Sequence, residues 1–211
     1  TDEDARFDYV VVGAGTAGCL LADRLSATGA SVCVLEAGGR DWSPLIHLPV
    51  GYVWNVHSRR LTWDYAVEPG PVVNRRFRLP QGKVLGGSSS INGLSHVRGQ
   101  RQDYDDWAAA GNPGWSYLEI LPYFMRSERK IGVGDDRFRG RSGSLHITDQ
   151  DWSHPICDAF VNGLSELGIP LTEDYNGMVH TGGGYLQRAI HKGRRCSSAR
   201  AFLKPAMQRP N

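Results

Sequence analysis

Apolar positions along this chain change period several times. Tyr9–Val12 is an unbroken apolar, largely β-branched run, the pattern of a strand buried on both faces, and Ser31–Leu35 repeats it. Between them, Thr16–Thr28 reads as a helix, so the chain opens strand, helix, strand. The pattern then breaks off. Residues 38–80 set prolines and glycines among scattered aromatics and read as a long, largely irregular excursion. Loops of that length in compact domains tend to be functional, and this one is expected to wrap a ligand.

Helical signals return further on. Asp103–Ala110 is expected to be a short helix, with Asp103 as N-cap and Gly111 past its end. Ser116–Arg129 is a stronger one: Ser116 and Glu119 have capping-box spacing, and Leu118, Leu121, Phe124 and Met125 recur on one face, despite Pro122. Gly143–Thr148 alternates like a strand. His154–Leu167 repeats Ile156, Phe160 and Leu164 at helical spacing and stops before Gly168. Ser197–Leu203 reads as a last short helix, ended by Pro205. The class is therefore α/β. A doubly wound sheet needs several parallel strands, and only two are recognisable near the start, so the sheet is expected to be incomplete within this chain.

Composition narrows the function classes. A formal charge of +2 is too small to suggest a nucleic-acid partner. The basic clusters Arg75-Arg76-Phe77-Arg78 and Lys192-Gly193-Arg194-Arg195 are short and read as solvated loops. No apolar run approaches the roughly 20 residues of a membrane span. The acidic Thr1-Asp2-Glu3-Asp4 start is unlike a signal peptide, and a cytoplasmic location is expected. Cys19, Cys33, Cys157 and Cys196 have no ligand-type spacing, so neither a disulfide framework nor a metal site is expected, and Cys19 and Cys33 read as buried filler.

The candidate chemistry lies in the glycines. Gly13, Gly15 and Gly18 stand at G-x-G-x-x-G spacing between the first strand and the helix. The first permits a tight turn, the second lets a pyrophosphate approach the backbone, and the third lets helix and sheet pack closely. The helix N-terminus presents free amides and the positive end of its dipole to an anion. Glu36 closes the second strand, where a carboxylate can accept from ribose hydroxyls and would repel a 2′-phosphate, which argues against NADP. The turn alone leaves NAD and FAD open.

A second small-residue segment, Gly82-Lys-Val-Leu-Gly-Gly-Ser-Ser-Ser-Ile-Asn-Gly-Leu-Ser-His-Val-Arg-Gly99, can also bring backbone close to a flat or anionic ligand. With the first turn, Leu35–Gly39, Trp63-Asp64-Tyr65 before Glu68-Pro69, Asp103–Trp107, Gly114–Tyr117 before Leu121–Phe124, and Arg194–Ala201, it resembles the glucose–methanol–choline family of FAD-dependent oxidoreductases from about Phe7 to Asn211. The resemblance implies a Rossmann-type FAD-binding domain over residues 1–150, with the start of an α+β substrate domain and a return toward the first domain over 151–211. It implies FAD rather than NAD. Gly13, Gly15, Thr16, Ala17 and Gly18 would hold the pyrophosphate, Glu36 the adenosine ribose, and Trp63 would lie near the adenine. Val84 and Ser88 would follow the cofactor, and Asn92, Gly93, Leu94 and Ser95 would pass the isoalloxazine ring.

Ile91 stands where choline-oxidase-like members carry the histidine that bonds the flavin, so non-covalent FAD is expected. His96, at a usually aromatic or apolar position, is expected to be structural. Family members are more than twice this long. The resemblance puts the catalytic base in a C-terminal part beyond this chain, and none of the seven histidines here is nominated for it. The implied activity is oxidation of a small alcohol by hydride transfer to flavin N5, with oxygen or another acceptor reoxidising the flavin. Residues 1–211 alone are expected to be inactive. An FAD-containing hydroxynitrile lyase and a non-catalytic flavin-binding fragment are the alternatives.

Overall fold

β-Branched residues at the start of the chain form Tyr9–Val12 (β1), which pairs in parallel with Val32–Leu35 (β2) in the register Tyr9 to Val32. Helix α1, Thr16–Ser26, joins them. The computed structural model describes residues 6–72 and 74–211, so the acidic Thr1–Asp4 stretch lies outside the described residues. These residues form two compact units, one running to Leu94 and resuming at Lys192–Asn211, the other spanning Ser95–His191.

That partition differs from a boundary at residue 150. In the first unit the C-terminal segment returns to α1 and β2: Arg209 Nη2 meets Asp23 Oδ1 at 2.9 Å, and Val32 N donates to Asn211 O at 2.9 Å. These contacts bind residues far apart in sequence into one unit. The expectation that β1 is buried on both faces fails. Val11 is buried and faces Gly18 of α1, whereas Val10 and Val12, which point the other way, are 57% and 84% exposed. Alternation along the strand gives α1 only one face, and no described strand pairs with the free edge of β1.

The 38–80 excursion holds more structure than expected. Pro44–His47 (α2) and Tyr52–Asn55 (α3) are single helical turns, and Tyr65–Val67 (β3) pairs antiparallel with Phe77–Leu79 (β4). Each element is too short to show a period. Ile46 from α2 is fully buried and packs with Val84 and Ile91, and Leu61 closes on the cluster. The last helical stretch runs as a π-helical turn, Ala199–Leu203, into Lys204–Ala206, so Pro205 does not end it. Proline is tolerated there because it falls in the first turn of that final segment, where no intrahelical N–H bond is required.

In the second unit, α4 (Arg101–Ala109) is capped at Gln100, and Asp103 is its third residue, with a carboxylate accepting from Gln100 N at 2.7 Å. Asp103 is therefore the far half of a capping box rather than the N-cap. Helix α5, Tyr117–Ser127, opens on Ser116 and Glu119 as expected. It ends early, because Glu128–Ile131 leaves as a strand, β5, that pairs in parallel with β6, Leu145–Thr148. Helix α6, Pro155–Glu166, is capped by His154, whose Nδ1 accepts from Ile156 N. No described helix is long and apolar enough to cross a membrane.

Candidate functional site

The first glycine turn has the geometry its spacing predicts. Gly13 adopts φ +91°, a conformation that L side chains rarely enter, and its N–H donates to Leu35 O at 2.6 Å, closing β1 onto β2. A Cβ on Gly18 would lie 1.9 Å from Gly13 O, so helix and turn touch through the missing side chain. Around Gly15 the space is open, with nothing within 4 Å of an added Cβ. Gly15 is the N-cap of α1, no side chain caps the helix, and its first turn carries no acidic residue. Thr16 and Ala17 are exposed there. The first-turn amides, which have no intrahelical partners, thus face open space at the positive end of an 11-residue helix. This is the chemistry of an anion cradle.

The two glycine-rich segments meet. Gly86, at φ +88°, donates its N–H to Ala14 O at 2.7 Å, and a Cβ on Gly87 would stand 2.7 Å from Gly15 Cα. Gly38 lies against the backbone of Lys83 and Val84, and Leu85 N donates to Gly39 O at 3.0 Å. Glu36 ties the arrangement together: Oε2 accepts from Ala14 N and Oε1 from Gly38 N, each at 2.7 Å. Its two oxygens therefore fix the turns that follow β1 and β2, and lone pairs are left over for a further donor. Glu36 and Gly38 also line a cavity of about 350 Å³ with Val34, Leu85 and Met207.

The other candidate residues divide by environment. Trp63 is half-exposed, stacks with Tyr65 at 6.2 Å and carries Lys83 Nζ 4.2 Å above its ring. Val84 is fully buried in the apolar cluster, so any contact with a cofactor falls to its backbone. Ser88 Oγ donates to Gln81 Oε1 and accepts from Gly82 N, which fixes the turn at Gly82. Asn92 Oδ1 accepts from Leu94 N at 3.1 Å, and Leu94, buried, sits at φ +67°. A left-handed leucine is strained backbone of the kind that gathers at ligand sites. Gly93 between them has only the Tyr52 ring nearby, at 3.9 Å. Ser95 belongs to the second unit, where it bridges Arg188.

Sequence reasoning missed two buried charges. Arg195, read as part of a solvated loop, is 1% exposed; Arg194 beside it is exposed as expected. No periodicity separates two adjacent arginines, and only the fold tells them apart. Glu128 was placed inside a helix, yet it is a buried strand residue. Its Oε1 accepts from Arg139 Nε at 2.8 Å, its Oε2 from Arg98 Nη2 at 2.7 Å, and His96 Nε2 lies 3.3 Å away. Burial pushes the Glu128 carboxyl up. Hydrogen bonds from His96 and Arg139 and the charges of Arg98 and Arg139 outweigh it and hold the group at about 2. His96 thus sits in a structural ion network.

Among the cysteines, Cys19 and Cys196 are buried, Cys33 is only half-buried, and Cys157 is exposed. Burial, the largest influence, pushes the Cys19 thiol up to about 12, which leaves it unreactive. The described residues contain no group of His, Cys, Asp and Glu arranged to hold a metal.

Comparison with known proteins agrees with this fold. An oxygen-dependent choline dehydrogenase of Rhizobium etli is 45% identical over 97% of this chain, which spans 37% of that relative. Pyridoxine 4-oxidase from Mesorbium loti superposes with a TM-score of 0.90 at 33% identity, covering 97% of this chain and 41% of its own. An FAD-dependent oxidoreductase from Chaetomium thermophilum gives 0.86 at 29% identity, over 97% of this chain and 37% of that one. The family model described as GMC oxidoreductase matches residues 7–211. From its first strand to its last residue, therefore, the chain belongs to the GMC oxidoreductase family.

Proposed function

We propose that this chain supplies the cofactor-gripping part of an FAD-dependent alcohol oxidoreductase, and that a C-terminal continuation of the protein completes it. The observation that carries this reading is the meeting of two glycine-rich segments at the open, uncapped start of α1. A helix N-terminus without a side-chain cap, backed by Gly86 and Gly87, suits a pyrophosphate. In this reading Gly13, Gly15, Thr16, Ala17 and Gly18 hold that group, and Glu36 accepts from the ribose while keeping its two backbone amides. Trp63 offers a flat face to the adenine. Val84 and Ser88 line the path with backbone, and the consecutive residues Asn92, Gly93, Leu94 and Ser95 run beside the isoalloxazine. Bound FAD would supply a hydride acceptor for the α-carbon of an alcohol and pass the electrons to oxygen or another acceptor.

Ile91 has no nucleophilic atom and is locked in the cluster with Ile46 and Val84, which supports a non-covalent flavin. The proton acceptor for the alcohol is assigned to the continuation, since the part-buried His96 lies 3.3 Å from the Glu128 carboxylate, within the Arg98–Glu128–Arg139 network. The exposed faces of Val10 and Val12 are where the continuation would add cover.

The test is to purify the protein with its C-terminal continuation, measure FAD per polypeptide, and add choline and other small alcohols without oxygen. One FAD per chain, bleached by an alcohol, is the expected result. Absence of flavin would remove the cofactor assignment. Flavin that no alcohol reduces would remove the oxidoreductase assignment, and turnover by residues 1–211 alone would remove the need for a continuation.

A further inference from the structure

Arg195 is buried without the company a buried arginine normally keeps. Its Nε donates to Ile46 O at 2.8 Å, and Nη1 donates to Ser89 O at 3.2 Å and to Asn92 Oδ1 at 2.7 Å. All three acceptors are neutral. Nη2 is buried with no partner among the described residues. No described carboxylate compensates the group, and burial alone lowers its pKa, to about 10, so it stays charged at neutral pH. A buried, unpaired cation is costly to fold around.

Its contacts lead to one place. Asn92 Oδ1, which receives Arg195, also accepts Leu94 N and so holds Leu94 in its left-handed conformation. Ser89, whose carbonyl accepts from Arg195, receives Ser198 N on its hydroxyl and donates that hydroxyl to Gly86 O. Arg195 is thus wired to both ends of the turn between the second glycine pair and Gly93.

We propose that Arg195 is a positioning residue for the flavin: through Asn92 it sets the Gly93–Leu94 backbone, and its uncompensated charge favours the reduced cofactor. The inference rests on the FAD reading above. Two-electron reduction adds negative charge to the ring system, and a buried cation beside that segment stabilises the more negative state more than water would. The same charge, unsatisfied before the cofactor arrives, becomes useful after it.

The test uses the full-length holoprotein and reads the flavin midpoint potential alongside FAD stoichiometry and melting temperature. Arg195→Met should bind FAD but lower the reduced-to-oxidised ratio at fixed potential at least tenfold, which is about 30 mV for a two-electron couple. Arg195→Lys keeps the charge and should stay within about threefold of the parent, the sparing that a charge effect requires. Asn92→Asp keeps the shape while placing a carboxylate on Arg195. It decides the matter if Arg195→Met does not fold, because it too should lower the ratio at least tenfold. An unchanged potential in a folded, FAD-loaded Arg195→Met or Asn92→Asp protein overturns the proposal, as does an equal fall in the Lys and Met variants. A parent protein that binds no FAD overturns the functional reading itself, a different result from an unchanged potential in a loaded variant.

Discussion

The two units treat buried cations in opposite ways. In Ser95–His191, strand β5 turns Glu128 and Lys130 inward, and each buried cation there meets a carboxylate: Arg98 and Arg139 meet Glu128, Arg139 also meets Asp174, and Lys130 meets Asp149. In the other unit, β1 turns Val10 and Val12 outward, and Arg195 is buried against neutral oxygens. One unit pairs its buried cations from within. The other leaves a buried cation without a carboxylate. The difference separates a unit whose buried cations are paired from one that folds around an unpaired cation.

The sharpest way to break the comparison is to unpair the scaffold. Glu128→Gln leaves Arg98 and Arg139 buried without their shared carboxylate and should cost about 3–5 kcal/mol, read by denaturant unfolding. A loss below about 1 kcal/mol would mean that the second unit is not held by this network. Acid reads the same group. The folded carboxyl sits at about 2 against an ordinary 4.5, so the folded state holds its proton less tightly than the unfolded one. The contribution is whole above 4.5, falls as pH drops through that range toward 2, and should be missing from Glu128→Gln. A variant with the same acid profile as the parent would assign the profile to other groups.

Glycines test the first unit. Gly15→Ala puts a methyl into open space, so the fold should hold within about 0.5 kcal/mol. A bound pyrophosphate would lose its approach, and FAD affinity should fall roughly a hundredfold, about 2.7 kcal/mol. Gly18→Ala reverses the pattern, because its Cβ meets Gly13 O, and should destabilise the fold first. Equal behaviour of the two variants in titration and melting would dissolve the distinction between a binding glycine and a packing one.

The open strand face comes next. Val12→Thr swaps a methyl for a hydroxyl at a position 84% exposed in this chain, and residues 1–211 alone should tolerate it within about 0.5 kcal/mol. With the proposed continuation covering β1, the same change should cost about 1–2 kcal/mol, the price of an imperfectly paired buried hydroxyl. Comparison of the two melts decides it. If the effect is equal in both, Val12 stays exposed in the whole protein.

Most of the candidate site's backbone was legible because glycine spacing reports backbone geometry directly. Gly13 and Gly18 do what their spacing requires, and Gly86 and Gly87 bring the second segment against the first turn. Long helices were legible for a similar reason, since α5 and α6 carry their periods over several turns. Short elements were not. The single turns at Pro44–His47 and Tyr52–Asn55 hold too few residues for a period, and tertiary contacts decide them. Glu128 shows a further limit: a charged residue at a helix end looks solvated until Arg98 and Arg139, distant in sequence, arrive on either side. Arg195 is the same lesson inside the candidate site.

The smallest expected effect tests local design in the unit whose buried cations are paired. Glu119 Oε2 accepts from Ser116 N at 3.1 Å and from Ser116 Oγ at 2.5 Å, and those bonds hold the Glu119 carboxyl below its usual range. Ser116→Ala removes the hydroxyl and one half of the box, so α5 should lose about 1 kcal/mol by thermal melting. Glu119→Gln keeps a weaker acceptor for Ser116 N and should cost less. Helix α1, by contrast, has no side-chain cap to remove, and Gly15→Ser should supply one. Such a cap would stabilise α1 while occupying the amides that a phosphate needs. A variant that melts higher yet binds FAD more weakly would show that the start of α1 is left bare for a ligand, whereas equal FAD affinity would leave the open cap without a role in binding.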